Sequence, residues 1–208
     1  IRDIAVSRGL GYVYKRQLLY SLPTYSNEVI NSSVHHLSDG TYANTSGVAY
    51  ESSFNKLLKW SWERRSKNLE TFEFEVEVPN YKEIYENENI VTTWIGHETF
   101  LYQNKDINVL TDPHFTQRAS PLNFAGPKRY MAPGMKIDDL PNIDVVTISH
   151  SHYDHLDYMS VKLLAEKFDN ILFLVPLGLK KWFESKGIYN VRELDWWDSL
   201  IIQETLIT

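Results

Sequence analysis

Three of the seven histidines fall within six residues of this chain, in the stretch 149–157, which carries the pattern H-x-H-x-D-H. In extended backbone, His150 and His152 project to the same side of the chain and can hold one metal ion. Asp154 and His155 follow where the chain bends, and therefore point at a second position close by. Imidazole and carboxylate ligands without thiolate favour zinc, with iron and manganese as alternatives. The spacing predicts a two-metal site.

A histidine that stands alone is ordinarily a core or surface residue, and this is our interpretation of His35, His36 and His114 taken singly. The cluster at 150–155 is different, because several titratable side chains at one strand end are costly to order without a partner. A metal ion supplies that partner.

The elements that must position this cluster are strands and helices in alternation. Residues 144–148 are rich in β-branched side chains and predict a short buried strand that ends at the cluster. Beyond it, the pattern predicts a helix through Lys167 capped by Ser160, a strand over 171–175, a helix over 179–186 closed by Gly187, and a strand over 191–194. This alternation predicts an α/β fold with helices covering sheet faces.

The region before the cluster is β-rich. Strict alternation of apolar residues with glutamate predicts a half-exposed strand over 71–78. Three further runs, 90–95, 99–103 and 107–111, predict an antiparallel meander. The proline-rich segment 112–142 is a long irregular loop of the kind that is usually functional. Within it, Lys128 or Arg129 is a candidate contact for an anionic substrate, and a solvated loop charge is the alternative.

Composition narrows the class of function. The chain has 208 residues, of which 43% are hydrophobic, so it can bury a core. The net charge of −6 argues against nucleic acid as a partner, because phosphate backbones require a basic face. The absence of cysteine excludes disulfides, thiolate metal sites and cysteine nucleophiles. No apolar run approaches the roughly 18 residues that a membrane span needs.

The stretch 149–157 resembles the turn that marks the metallo-β-lactamase superfamily. More narrowly, the chain resembles the N-acyl phosphatidylethanolamine-hydrolysing phospholipase D family and its bacterial relatives. The stretches that carry this second resemblance appear in family order: 93–99 (TWIGHET), 110–113 (LTDP), 118–121 (RASP), 124–130 (FAGPKRY), 175–178 (VPLG) and 193–197 (ELDWW).

The resemblance implies a metallo-β-lactamase-type four-layer αββα sandwich that holds two zinc ions. His150 and His152 match ligands of the first ion, and Asp154 and His155 match ligands of the second. Asp112 matches a position near the metals that supports the ligands. Glu98 departs from the small residue expected in its turn and adds a charge close to the site.

The resemblance also implies further histidine and aspartate ligands downstream of the Trp196–Trp197 pair. We therefore expect the chain to be the front part of a longer protein, truncated at its C-terminus and inactive or nearly so on its own. Residues 1–17 resemble translated sequencing adaptor. Residues 18–70 form an N-terminal arm with a basic amphipathic helix over 54–65, and residues 71–208 form the incomplete metallo-β-lactamase-like domain. The helix either lies on an anionic membrane surface or packs its apolar stripe on the core.

The function expected of the full-length parent is zinc-dependent hydrolysis of a phosphodiester bond, in N-acyl phosphatidylethanolamine or a related glycerophospholipid. Asp154 would orient the attacking hydroxide and accept its proton. One alternative is a metal-dependent lactonase of the sugar-phosphate lactonase type, and the other is a non-catalytic metal-binding relative. The expected partners are a phospholipid or other small anionic ester and, through the basic helix, a membrane surface. The expected location is cytoplasmic or membrane-peripheral, with an N-terminal signal or anchor left open, and no oligomeric state is predicted.

Overall fold

A computed structural model of the chain describes residues 35–43, 54–65 and 90–208. The chain divides into two compact units, Ile1–Phe72 and Glu73–Thr208. The boundaries expected at residues 17 and 70 stay predictions. The strand expected over 71–78 and the adaptor-like residues 1–17 lie outside the described residues.

The described part of the first unit contains the predicted basic helix. Helix α1 spans Phe54–Arg65 and carries an ion pair between Lys59 and Glu63, one turn apart, at 3.8 Å. Leu58 and Trp62 are exposed to 52% and 80%. The helix is thus confirmed, whereas its contact with a membrane or with a core stays a prediction. Among the helices of the described residues, none combines the length and the hydrophobicity needed to cross a bilayer.

The second unit is built on a six-stranded mixed sheet with the strands in sequence order. Its strands are β1 Val91–Gly96, β2 Thr99–Gln103, β3 Asn108–Thr111, β4 Val145–Thr147, β5 Leu172–Pro176 and β6 Val191–Leu194. Strands β1 to β3 pair antiparallel, as the predicted meander requires, and β3 to β6 pair parallel. Two further helices, α2 Tyr158–Lys167 and α3 Lys180–Ser185, connect β4 to β5 and β5 to β6.

The alternation of side chains along β5 shows how the layers stack, because successive residues face opposite sides of a sheet. On one side, Phe173 packs on Phe183 of α3, with ring centroids 5.2 Å apart. On the other side, Leu172 and Leu174 belong to an apolar cluster with a second, two-stranded sheet. That sheet pairs β7 Leu200–Ile202 with β8 Thr205–Ile207. The described residues therefore stack helices, sheet and second sheet.

The predicted α/β fold is confirmed, and one local prediction needs correction. The first helix after the metal stretch begins at Tyr158 and is capped by Asp157, whose carboxylate accepts a hydrogen bond from the backbone N–H of Met159. Ser160, the predicted cap, is instead fully buried inside the helix, where its hydroxyl donates to Asp157. Asp157 takes the capping position because its carboxylate accepts from both groups.

The β7–β8 hairpin lies beyond the last element predicted from the sequence, the strand over 191–194. Its turn places Gln203 and Glu204 at positive φ, +46° and +64°. Turns of this type ordinarily carry Asn-Gly or Asp-Gly, which provide the recognisable sequence signal. Because Gln-Glu provides none, periodicity alone could not locate the hairpin.

Candidate metal centre

The parallel pairing of β3 and β4 brings two sequence motifs together at one edge of the sheet. Thr111 pairs with Thr147, so Asp112 and Ser149 leave the sheet side by side. The Asp112 carboxylate accepts the backbone N–H of Ser149 through Oδ1 and the Ser149 hydroxyl through Oδ2, each at 2.7 Å. Asp112 itself adopts a left-handed backbone, with φ +37°, and is buried. This arrangement fixes the start of the histidine-rich loop.

The loop is also anchored at its far end. The backbone N–H groups of His155 and Leu156 both donate to the carbonyl of His152, which closes a tight turn. Leu156 is 2% exposed and pins the turn to the core, and Asp157 then caps α2. A loop held at both ends keeps its side chains in place before any ion binds.

The histidine rings predicted as ligands lie against one another. Nε2 of His150 is 2.8 Å from Nδ1 of His152, as expected for side chains two residues apart on one side of the chain. The ring of His150 lies 4.0 Å from the ring of His155, centroid to centroid. Asp154 joins them, with its Oδ2 3.8 Å from Nε2 of His155. The four predicted ligands therefore converge, and their assignment to individual metal ions stays a prediction.

Asp112 determines which nitrogen of His155 is available. Its Oδ2 lies 2.8 Å from Nδ1 of His155, so in the neutral imidazole the carboxylate accepts the Nδ1–H and Nε2 keeps its lone pair. Metal-binding histidines are commonly oriented by a carboxylate in this way, and such a partner also raises ligand basicity. The structure thus places Asp112 beside His155, and its role as a supporting residue of a metal site stays a prediction.

The electrostatics of the cluster are those of a site prepared for a cation. Burial, reinforced by the positive charges of His155 and His152 when protonated, lowers the pKa of His150 to about 4. Burial also favours neutral His155, but the hydrogen bond and charge of Asp112 outweigh it, so the pKa of His155 is raised. Burial alone would raise the pKa of Asp154, but the charges of His155 and His97 outweigh it and lower that pKa. At neutral pH, His150 is uncharged and Asp154 is ionised.

Sequence reasoning did not connect His97 to the site. This residue sits in the turn between β1 and β2, and its Nε2 lies 3.0 Å from Oδ2 of Asp154, 57 residues away in sequence. Its ring packs edge-on against His155 at 5.2 Å. The ligand atoms of His97, Asp154 and His155 all lie within 4.8 Å of one another. The available signal was a histidine at a strand end that the meander places on the same sheet edge as the cluster.

The two candidate substrate contacts have different surroundings. Lys128 is exposed and pairs through its backbone with Arg118 in an isolated bridge of the long loop. Arg129 is half-buried, and its guanidinium donates to the backbone carbonyls of Met131, His114 and Thr116. Burial lowers the pKa of Arg129. Arg129 therefore ties the loop together, whereas Lys128 offers its charge to solvent; a role for either with substrate stays a prediction.

The donor set fits a divalent transition metal. Imidazole nitrogens and a carboxylate converge on one sheet edge, and a neighbouring carboxylate fixes the tautomer of one imidazole. These are the ligand types that zinc, iron and manganese accept in proteins.

Comparison with known proteins agrees with this geometry. Residues 107–208 match the family model described as "Beta-lactamase superfamily domain", so the resemblance predicted from the sequence is confirmed over that region. An N-acyl-phosphatidylethanolamine-hydrolyzing phospholipase D of Caenorhabditis elegans is 43% identical over 56% of this chain and 34% of its own length. The mitochondrial N-acyl-phosphatidylethanolamine-hydrolyzing phospholipase D of Saccharomyces cerevisiae is 34% identical over 55% of this chain and 24% of its own length. The matches thus span about a third or less of these relatives.

Among solved structures, an isothiocyanate hydrolase from Delia radicum gut bacteria is 21% identical, with a TM-score of 0.43 over 54% of this chain and 44% of that one. A likeness this loose carries no information about function.

Proposed function

From the beta-lactamase superfamily domain that residues 107–208 carry, we propose that the protein containing this chain is a zinc-dependent phosphodiesterase of phospholipase D type. Its proposed substrate is N-acyl phosphatidylethanolamine or a related glycerophospholipid.

One observation carries the metal-dependent part of this proposal. The side chains of His150, His152, Asp154 and His155 converge at the edge of the sheet, where a metal ion would satisfy their lone pairs and offset the cost of ordering them together. The Asp112 carboxylate accepts a hydrogen bond from Nδ1 of His155, the ring nitrogen that is not directed at Asp154. A polar cluster with only a structural role does not require a carboxylate that orients one imidazole and keeps its second nitrogen available to a ligand.

The choice of zinc is supported by the ligand types. The chain contains no cysteine, so the available donors are imidazole and carboxylate, which suit zinc in hydrolytic sites. We propose two zinc ions in the complete protein. Metal analysis of that protein, purified without added metal, tests this, with about two zinc per chain expected and stoichiometric iron or manganese as the contradicting result.

The choice of a phospholipid is supported by the two relatives above, whose names state the activity. It is supported also by the stretches 93–99, 110–113 and 124–130, which carry the sequence resemblance to that family. The exposed charge of Lys128 is the candidate attraction for an anionic head group. The acidic net charge of −6 disfavours a nucleic acid substrate of the same chemistry.

When bound, divalent zinc lowers the pKa of water towards neutrality and neutralises negative charge on a phosphoryl group. The residues of this chain would hold the ions, orient the ligands and accept the proton. His150, uncharged at neutral pH, and His152 would hold one side of the centre. Asp112 would keep Nε2 of His155 directed at the other side. Asp154, which is ionised, would accept the proton of the attacking water. The hydroxide would form a bond to phosphorus as the bond from phosphorus to the head-group oxygen breaks, so phosphatidic acid is released and the head-group alkoxide takes up a proton from solvent to leave as the alcohol.

The test is an assay of the complete gene product that carries this chain, with zinc restored. We expect release of phosphatidic acid from N-acyl phosphatidylethanolamine, and loss of at least about a hundredfold in activity for Asp154→Asn. Inactivity towards every phospholipid, combined with turnover of a sugar-phosphate lactone, would overturn the phospholipase proposal in favour of the lactonase. Inactivity towards both, with metal bound, would favour the non-catalytic relative.

A further inference from the structure

We propose that His97 is a further metal ligand of this centre, which shares one divalent ion with Asp154 and His155. The inference depends on the proposed function only in requiring that the centre holds a metal. It adds to the predicted ligands a residue from a different part of the chain, the turn between β1 and β2.

The distances among the three side chains fit a common ion. Nε2 of His97 is 3.0 Å from Oδ2 of Asp154, and Nε2 of His155 is 3.8 Å from the same oxygen. Nitrogen and oxygen ligands about 2.0–2.1 Å from a tetrahedral zinc lie roughly 3.3 Å from one another. The two observed distances bracket that value. Moreover, the His155 nitrogen nearest to Asp154 is the one that Asp112 leaves with its lone pair.

The turn that carries His97 is built to hold it in place. His97 has φ +53°, in the left-handed region that non-glycine residues seldom occupy, and such strain concentrates at functional sites. The indole N–H of Trp94 donates to the carbonyl of His97 at 2.9 Å. The hydroxyl of Thr111, on β3, donates to the carbonyl of the next residue, Glu98, at 2.8 Å. The turn is therefore held by one side chain of β1 and one of β3.

A surface ion pair does not account for these features. The side chains of His97 and Asp154 are 44% and 33% exposed, and ion pairs at such exposure contribute little to stability because solvent screens them. So small a contribution does not offset the cost of holding a histidine in the left-handed backbone region. A shared metal ion would, because ligands of one ion are held together by its binding free energy.

The experiment is a Zn²⁺ titration of the 208-residue chain, followed by calorimetry and by NMR of the histidine side-chain nitrogens. We expect the Nε2 resonance of His97 to move to the range of a metal-bound imidazole. We also expect His97→Ala to weaken binding of the ion it shares by at least about tenfold. Asp106→Asn, in the turn at the other end of β2, is the matched control and should bind like the unsubstituted chain. Circular dichroism confirms that each variant is folded.

A second variant separates ligation from a hydrogen bond. His97→Gln keeps an N–H that can donate to Asp154 but offers zinc only a weak ligand, so we expect it to bind as poorly as His97→Ala. If His97→Gln binds like the unsubstituted chain, or if the Nε2 resonance of His97 does not move at saturation, the inference is wrong. If the unsubstituted chain binds no Zn²⁺, the inference about His97 is wrong, whereas the metal-dependent function is decided separately by metal analysis of the complete protein. A failure of the phospholipid assay alone leaves the assignment of His97 intact.

Discussion

The two edges of the six-stranded sheet are made from similar parts and behave differently. The site edge comprises the 96–98 turn, Asp112 and residues 149–157, and the plain edge comprises residues 104–107 and 142–144. Each edge has a hairpin turn and an aspartate whose carboxylate accepts a backbone hydrogen bond between the β3 and β4 segments, Asp112 from Ser149 and Asp144 from Asn108. At the plain edge, Asn104 satisfies its own turn by accepting from the backbone N–H groups of Asp106 and Ile107, each at 2.7 Å.

At the site edge, by contrast, the turn is held from outside. Its carbonyls accept from Trp94 and Thr111, and its histidine reaches Asp154, 57 residues away. The difference shows where the fold uses local interactions and where it uses distant ones. A turn that only reverses the chain closes on itself, whereas a turn that presents a side chain to a site is fastened by that site's neighbours.

The largest effect that would test this comparison comes from the two aspartates. Asp112→Asn cannot accept from both Ser149 and His155, so we expect metal affinity to fall about 10–100-fold and the free energy of unfolding to fall by about 1–3 kcal/mol. The measurements are calorimetric Zn²⁺ titration and denaturant unfolding.

Asp144→Asn is the matched control at the plain edge. Asp144 accepts the backbone N–H of Asn108 at 2.8 Å and the side-chain amide of Asn142 at 3.1 Å, without touching the histidines. It should lose stability while metal affinity stays unchanged. Equal metal affinity in Asp112→Asn and Asp144→Asn would contradict the division into two edges.

The next effect in size comes from Gly96, which precedes His97. Gly96 has φ +144°, and a Cβ there would lie 3.0 Å from a terminal guanidinium nitrogen of Arg129. Because Arg129 is bonded to three backbone carbonyls, it cannot move aside freely. We expect Gly96→Ala to lower the free energy of unfolding by about 2–3 kcal/mol, measured by denaturant unfolding.

Gly187→Ala separates backbone strain from crowding in this experiment. Gly187 also has positive φ, +80°, but a Cβ there would meet nothing within 4 Å. Gly187→Ala should lower the free energy of unfolding only by the cost of placing alanine in a left-handed backbone conformation, about 1–2 kcal/mol. If Gly96→Ala costs no more than Gly187→Ala, Arg129 does not constrain the turn.

A smaller effect is expected at the plain edge itself. Asn104→Ala removes the acceptor of two backbone N–H groups in an exposed turn, so the free energy of unfolding should fall by about 1 kcal/mol. Zn²⁺ affinity should be unchanged, because the turn is satisfied locally. A loss of metal binding in this variant, with the fold intact, would show that the two edges are coupled.

The contrast between the edges also explains what the sequence could predict. His150, His152, Asp154 and His155 lie within six residues, so local backbone geometry was enough to bring them together as candidate ligands. The meander and the strands that follow it were predicted because apolar runs and turn residues mark them. His97 was not linked to Asp154, because that contact depends on the parallel pairing of β3 with β4, which periodicity does not specify.

One failed prediction has the same origin in tertiary structure. Ser160 looks like a helix cap, but its hydroxyl is taken up by Asp157 and by the backbone N–H of Phe115, 45 residues earlier. The position of Asp112 was expected from the family resemblance, whereas residue patterns alone gave no reason to place it beside His155.

The smallest effect concerns His114, which lies behind the turn of the site edge. Its backbone N–H donates to the Thr99 hydroxyl, which in turn donates to the carbonyl of Asp112. The side chain is 4% exposed, and this burial lowers the pKa of His114 below its ordinary value of 6.5. The folded chain therefore keeps His114 neutral at pH values where the unfolded chain already binds a proton. In that window the unfolded state holds more protons, so stability falls as pH falls from about 6.5 towards the folded-state pKa.

His114→Phe keeps a ring and removes the titration. We expect its stability relative to the parent chain to increase as the pH is lowered from 7 to 5, measured by urea unfolding of the metal-free chain at each pH. Gln117→Ala, an exposed change in the same loop, should follow the parent at every pH. A constant difference between His114→Phe and the parent would mean that His114 gains its proton as readily in the folded chain as in the unfolded one. In that case His114 would not make the stability of the site edge depend on pH, and this difference from the plain edge would not exist.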